Sequence, residues 1–155
     1  MKFIADIMVG KLARYLRMAG NDVVYNNGFN DEQILNIAES ENRIILTRDR
    51  LMLKRRKCSN GEIKSLLIND DKLILQLIQV KNALKLKLAP NLIRCLECNT
   101  TLENKDKQSV KHYVPPYVFK TRDFFLYCPL CSRYYWRGTH YNYIEMFFNN
   151  INSAT

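Results

Sequence analysis

Lys2-Phe3-Ile4-Ala5-Asp6 is a short apolar run that ends in an acid, and from Met8 to Ala19 the residues Leu12, Leu16 and Ala19 follow at steps of four and three. The run has the composition of a strand buried on both faces, and the spacing after it is that of an amphipathic helix. A strand stopping at Asp6 is therefore predicted. The helix after it carries Lys11, Arg14 and Arg17 on its polar side, and Gly20 ends it as a left-handed cap. The same alternation recurs down the chain. Asp22-Val23-Val24-Tyr25 predicts a second strand, and Asn30 is placed as N-cap of a helix that opens Asp31-Glu32-Gln33 and packs through Ile34, Leu35, Ile37 and Ala38. Arg43-Ile44-Ile45-Leu46-Thr47 predicts a third strand, with Arg48 and Asp49 at its carboxyl end. Leu51, Met52 and Leu53 open a short helix, and Ser59-Asn60-Gly61 makes a turn. Ser65-Leu66-Leu67-Ile68 is the fourth strand, and a helix from Asp71 to Leu88, closed by Pro90, packs through Leu73, Leu77, Val80 and Leu84. Strands alternating with helices imply an α/β fold: a mostly parallel sheet with right-handed crossovers and helices on both faces.

The second part of the chain is of another kind. Two Cys-x-x-Cys knuckles, Cys95 to Cys98 and Cys128 to Cys131, are separated by 29 residues and followed by Tyr134-Tyr135-Trp136-Arg137-Gly138-Thr139-His140. Each knuckle lets two thiolates converge on one ion, so the pair fills a tetrahedral zinc shell and leaves no open position for water. Such a zinc is structural. Two disulfides or a redox pair are the alternatives. With no secretory leader ahead of Met-Lys-Phe-Ile, the chain is expected to be soluble and cytoplasmic, where disulfides are rare. Cys58 is left over, with no assigned role. The expected division is an α/β domain at 1–90, a zinc ribbon at 91–148 and a frayed polar tail at 149–155. Asn99 to Tyr127 is expected as loop with a short helix near Tyr117.

Twenty-four Lys and Arg against 15 Asp and Glu give a net charge of +9, with 16 basic and 10 acidic side chains in residues 1–90 and 8 and 5 in the remainder. Both parts are basic, which favours a polyanionic partner through phosphate contacts. Arg50, Lys54, Arg55, Arg56 and Lys57 form the densest cluster, with a solvated face as its alternative. No apolar stretch is long enough to span a membrane.

Against this basic background, acids stand where an open parallel sheet binds its ligands, just past the carboxyl ends of strands. Asp6 ends the first strand, Asp31 opens the helix after the second, Asp49 follows the third, and Asp70 and Asp71 follow the fourth. Carboxylates converging on one crevice invite Mg²⁺ or Mn²⁺, whose use would be phosphodiester hydrolysis. The alternative for Asp31 and Asp71 is that each merely favours a helix N-terminus.

Phe3-Ile4-Ala5-Asp6 through Met18-Ala19-Gly20, then Ile45-Leu46-Thr47-Arg48-Asp49-Arg50, the two knuckles, and Tyr135-Trp136-Arg137-Gly138-Thr139-His140 closely resemble the Mut-seven C-terminal RNase domain family. The resemblance runs from about Lys2 to Tyr141. It implies a PIN-like nuclease fold joined to a C-terminal zinc ribbon, and a metal-dependent ribonuclease with Asp6, Asp31 and Asp49 at the family's acidic positions. A fourth acid of the PIN-like kind has Asp70 and Asp71 as candidates, and Glu32 competes with Asp31. Lys11, Arg14 and Arg48 lie near these acids in sequence and are placed to clamp a phosphate. Arg50, Arg55 and Arg56 are expected to contact RNA. Tyr134, Tyr135 and Trp136 either stack on bases or pack the ribbon core, and His140 is a candidate phosphate or base contact. The expected partner is RNA, in forms that include the ribosome or tRNA. A non-catalytic RNA- or ribosome-binding protein and the toxin of a toxin–antitoxin pair are the competing readings.

Overall fold

The computed structural model describes residues 1–154; Thr155, the end of the expected tail, lies outside the described residues. Along the chain come β1 (Lys2–Ala5), a 3-10 turn at Ile7–Val9, α1 (Gly10–Met18), β2 (Asp22–Tyr25), α2 (Asp31–Glu41), β3 (Ile44–Thr47), α3 (Arg50–Lys54), α4 (Arg56–Ser59), β4 (Ser65–Leu67) and α5 (Leu73–Leu84). The second part holds β5 (Glu103–Lys105), α6 (Pro116–Thr121), β6 (Phe125–Tyr127), β7 (Tyr134–Trp136) and α7 (Thr139–Ser153).

The first four strands form a parallel sheet in the order β2-β1-β3-β4, the α/β architecture expected. Alternation along each strand explains why these segments are apolar throughout. Phe3, Ala5, Val23 and Leu46 enter a core shared with α1, α5 and α7, whereas Ile4 and Ile45 meet Ile34, Ala38 and Met52 on the other face. A strand covered on both sides has no solvent face on which to place polar residues. The local signals act as the sequence predicts. Gly20 takes φ +79° after α1, and Asn30 and Gln33 exchange side-chain and backbone hydrogen bonds of 2.9 and 3.0 Å in a capping box that starts α2.

The helix expected over Asp71–Leu88 is shorter. It ends at Leu84 because Lys85 turns left-handed at φ +53°, and the chain runs on outside any helix to bury Leu88. Asn152 holds that segment, accepting from the Leu88 amide at 3.1 Å and donating to its carbonyl at 2.6 Å. The stretch after Phe148, expected as a frayed tail, is the last part of α7 through Ser153. Phe148 and Ile151 are buried among α1 and α5 residues. Buried Lys81 donates to the Ile151 carbonyl at 3.1 Å and to that of Ala154, satisfying acceptors that the helix end leaves open. The polar letters of Asn149-Asn150-Ile151-Asn152 conceal one core residue and one clasp.

Residues 99–127, expected as loop with a short helix near Tyr117, hold that helix as α6 but also contribute β5 and β6 to a three-stranded antiparallel sheet in the order β5-β6-β7. Strands of three residues are too short to show a period. Leu126 packs toward the cysteines on one face of this sheet, and Phe125 toward Val110 and Val114 on the other.

Replacing Ile151 by Ala is expected to cost about 2–5 kcal/mol in chemical denaturation, since it empties a core site. A frayed tail would give a change within about 0.5 kcal/mol.

Candidate functional site

From β1 the chain steps to β2 on one side, then crosses back to β3 and β4 on the other, so the carboxyl ends of β1 and β3 border a topological switch point, where open α/β sheets bind ligands. Asp6 and Asp49 lie on its two sides. Asp6 is buried, 5% exposed, and both its oxygens are held while a lone pair of Oδ1 stays open: Oδ1 accepts from the Met8 amide at 2.8 Å, and Oδ2 accepts from the Thr47 hydroxyl and from the Arg48 amide at 3.3 Å. The Asp49 amide donates back to Thr47 Oγ1 at 2.9 Å, and Asp49 Oδ1 caps α3 by accepting from Leu51 at 2.8 Å. Thr47 therefore joins the two acids. From the sequence it reads only as the end of a strand; its signal is a lone hydroxyl closing Ile44-Ile45-Leu46.

The other expected acids do not join this pair. Asp31, in the first turn of α2, forms an exposed ion pair with Arg55 at 3.4 Å. Glu32 borders a separate shallow pocket with Arg55, Arg56 and Lys57. Asp70 caps the Lys72 amide at 2.8 Å, and Asp71 borders the groove described next. Among the described residues, the only group of three or more potential metal ligands within reach of one ion is the four knuckle cysteines.

Beside the switch point lies an open groove of about 570 Å³, bordered by Lys11, Arg14, Arg48, Tyr25, Gln76 and Asp71. It gathers the three cations expected to clamp a phosphate, of which Arg14 is itself ion-paired with Glu97 at 2.8 Å. Gly10 lets the Tyr25 ring pack over the start of α1, since a Cβ at that position would lie 2.6 Å from its hydroxyl and the ring would have to shift. The 50–57 cluster is elsewhere and partly spent: Arg55 pairs with Asp31, and Lys57 pairs with Glu39 at 2.6 Å.

The four knuckle cysteines converge as the sequence predicts, all ligand atoms lying within 4.8 Å of one another, and they are unbridged. Cys98 Sγ stands 3.4 Å from Cys128 Sγ. A disulfide needs about 2.05 Å, whereas sulfurs at about 2.3 Å around tetrahedral zinc are about 3.8 Å apart. Four thiols at this distance cannot ionise together without a cation. Burial raises Cys98, but hydrogen bonds with Thr100 outweigh it and bring the thiol down to about 6, while its hydrogen bond with Cys98 pushes Cys131 up to about 12. The donor set fits zinc. Tyr135 packs here, its hydroxyl 3.1 Å from Cys95 Sγ and accepting from the Leu96 amide at 3.3 Å. Cys58 is remote, half-buried against the core under α2.

Arg17, expected on the polar side of α1, is 3% exposed and docks the first knuckle on the sheet. Its Nε donates to the Val23 carbonyl at 2.9 Å, and its Nη1 donates to the carbonyls of Leu96 and Glu97 at 3.0 and 2.7 Å. Asn99 completes the joint, accepting from the Val23 amide at 2.9 Å and donating to Asp22 at 2.7 Å. Burial would raise the Asp22 carboxyl, but hydrogen bonds from Arg43 and Asn99 and the charge of Arg94 hold it below its ordinary value. That contribution to stability is present above about pH 4 and is lost as pH falls through the lowered folded value.

Fold and site define an α/β domain with acids and cations at its switch point and a four-cysteine metal ribbon docked on its edge strand. The family described as the Mut7-C RNAse domain matches residues 1–148 of the 155, and the chain belongs to it. Neither the curated proteins nor the solved structures compared with the chain gave a match.

The purified protein should carry about one zinc per chain, and Arg17→Met, which frees the knuckle backbone between Cys95 and Cys98, should let a chromophoric chelator remove it about tenfold more readily, the low end of the effect of lost outer contacts at a metal site. Equal release from both proteins would confine Arg17 to packing.

Proposed function

We propose that this chain is a divalent-metal-dependent endoribonuclease that hydrolyses RNA phosphodiester bonds beside the Asp6–Thr47–Asp49 chain while a structural zinc in the ribbon supports RNA binding. One observation carries it: in a member of an RNase domain family, the groove beside the switch point gathers Lys11, Arg14 and Arg48. Three cations in one groove suit the non-bridging oxygens of a phosphodiester, and Arg48 directly follows the residue that joins the two acids.

Asp6 and Asp49 fit a hard divalent cation in a limited way. Mg²⁺ is commonly held by one or two carboxylates plus substrate phosphate and water, so a pair suffices where a closed cage would not. When bound, such an ion activates a water and offsets charge on the attacking and leaving oxygens. Thr47 holds the Asp6 carboxylate through its hydroxyl and the Asp49 backbone amide through the same oxygen, while the Leu51 amide holds the Asp49 carboxylate. Lys11, Arg14 and Arg48 hold the phosphate and favour the charge that builds on it. Asp31 would enter this set only on release from Arg55, and Asp71 reaches the groove from β4's side. Among the described residues the acids form no three-ligand group, which favours the second reading, a non-catalytic RNA-binding protein that keeps the fold.

Cleavage of a panel of RNAs should stop with EDTA and return with Mn²⁺ or Mg²⁺, with zinc content followed in parallel. Asp49→Asn is the cleaner of two variants: Asn caps a helix as well as Asp, so activity should fall about a hundredfold or more at little cost in stability. Asp6→Asn should also inactivate, but it turns an amide against the Arg48 N–H and should cost about 1–3 kcal/mol. RNA bound tightly but never cut would leave the non-catalytic reading standing, and cutting unaffected by both substitutions would place the chemistry elsewhere.

A second outcome concerns the groove. Replacing Lys11, Arg14 and Arg48 together by Gln should reduce the slope of log affinity against log salt by about one for each phosphate that the groove no longer neutralises. Replacing Arg50 and Arg56 should change it less.

A further inference from the structure

The ribbon carries a second feature of nucleic-acid type, outside the groove. Tyr127 and Tyr134 are paired across β6 and β7, with ring centroids 5.0 Å apart. Tyr113, in the segment that covers this face of the sheet, stacks on Tyr134 at 5.3 Å and an interplanar angle of 18°. At the other end the Lys105 ammonium lies 4.8 Å from the centre of the Tyr127 ring. Lys105, Tyr127, Tyr134 and Tyr113 thus form one continuous ladder. Tyr113 is 67% exposed although one face of its ring is covered by Tyr134, so the outer face is turned to water. A ring this open adds little to the ribbon core, which Phe125, Val110 and Val114 already fill.

Charge narrows what the ladder fits. Between Thr101 and Arg137 there are seven basic side chains and three acidic ones. Lys107 is paired with Asp123, and among the described residues no ion pair engages Lys105, Lys111 or Arg122. An open aromatic face at one end of the ladder and an unpaired ammonium at the other match a ligand that offers flat π-faces and negative charge together. Single-stranded nucleic acid offers both. A duplex offers the charge, but its base faces are stacked on one another.

We infer that the Tyr113–Tyr134–Tyr127 ladder with Lys105 is a stacking platform that holds an unpaired stretch of the RNA, one base lying on the outer face of Tyr113 and a phosphate near Lys105. The inference rests on the ribonuclease reading for its choice of RNA, and it adds the substrate class: the ladder selects single-stranded regions. The base contact is sequence-tolerant, because every base has a π-face.

The test is fluorescence anisotropy of the full, zinc-loaded chain with a labelled single-stranded RNA of about ten nucleotides and with a duplex of the same length, without added Mg²⁺ or Mn²⁺. Tyr113→Ala should weaken single-strand binding roughly ten- to hundredfold and leave duplex binding unchanged, while Tyr113→Phe, which keeps the ring, should stay within about twofold of the native chain. Lys105→Gln should lower the single-strand salt slope by about one. Unchanged far-UV dichroism and zinc content would establish that the variants fold. Native-like single-strand binding by Tyr113→Ala would overturn the ladder and leave the ribonuclease reading intact, as would an equal loss on single strand and duplex. A native chain that binds neither RNA would remove the ribonuclease reading, and the ladder with it.

Discussion

Arg17 is the residue on which the two parts of the chain depend. A guanidinium cannot shed its charge, so its burial is tolerated only where several acceptors surround it. Here they come from two places: the Val23 carbonyl at the edge of the sheet, and the Leu96 and Glu97 carbonyls inside the first knuckle. Neither part alone can satisfy Arg17. The knuckle must therefore hold its turn for α1 to stay packed, and that turn carries two of the four cysteines whose donor set fits zinc. The same joint covers the outer edge of β2, where Asn99 accepts from the Val23 amide that would otherwise face solvent. An uncovered edge strand is a template for pairing with other chains.

This joint, with α7, changes what a separate ribbon means. α7 leaves the ribbon after Gly138 and buries Phe148 and Ile151 among α1 and α5 residues, so the last helix belongs to the first core. Small metal modules fold on their ion because their own cores are too small. In this chain the module is bounded on both sides by contacts with the sheet domain, through Arg17 before it and α7 after it. Loss of a zinc held by the four cysteines should therefore reach β2 and α1, beyond the ribbon itself.

The fold was legible because buried parallel strands and amphipathic helices write themselves in composition and period: four strands, the Gly20 cap and the Asn30 capping box all lie where the letters place them. What escaped was structure whose signal is a single residue. β5 and β6 are three residues long, Lys85 adopts a left-handed turn without being Gly, and Ile151 is one apolar letter among asparagines. Arg17 was hidden for another reason. Its helical position lies near the apolar stripe, and its charge argued for solvent until acceptors 79 and 80 residues away could be seen. At the candidate site, the strand-end rule points to Asp6 and Asp49, which lie past the ends of β1 and β3, while the Thr47 bonds and the pairing of Arg55 with Asp31 arise only from tertiary contact.

Glu97 sits where ribbon and groove meet. Its carboxylate pairs with Arg14 at 2.8 Å and approaches Arg133 at 4.0 Å, while its carbonyl receives Arg17. The Arg14 side chain is half exposed, and an ion pair so accessible to water contributes only about 0–1 kcal/mol. Under the proposed function, a phosphate in the groove would offer Arg14 a bidentate acceptor on better terms, and Glu97 would then position the guanidinium without committing it. The backbone of the same residue is not free to follow, because Arg17 is buried and anchored in the sheet. The knuckle thus supplies a fixed carbonyl to the core and a displaceable carboxylate to the groove from one position in the chain.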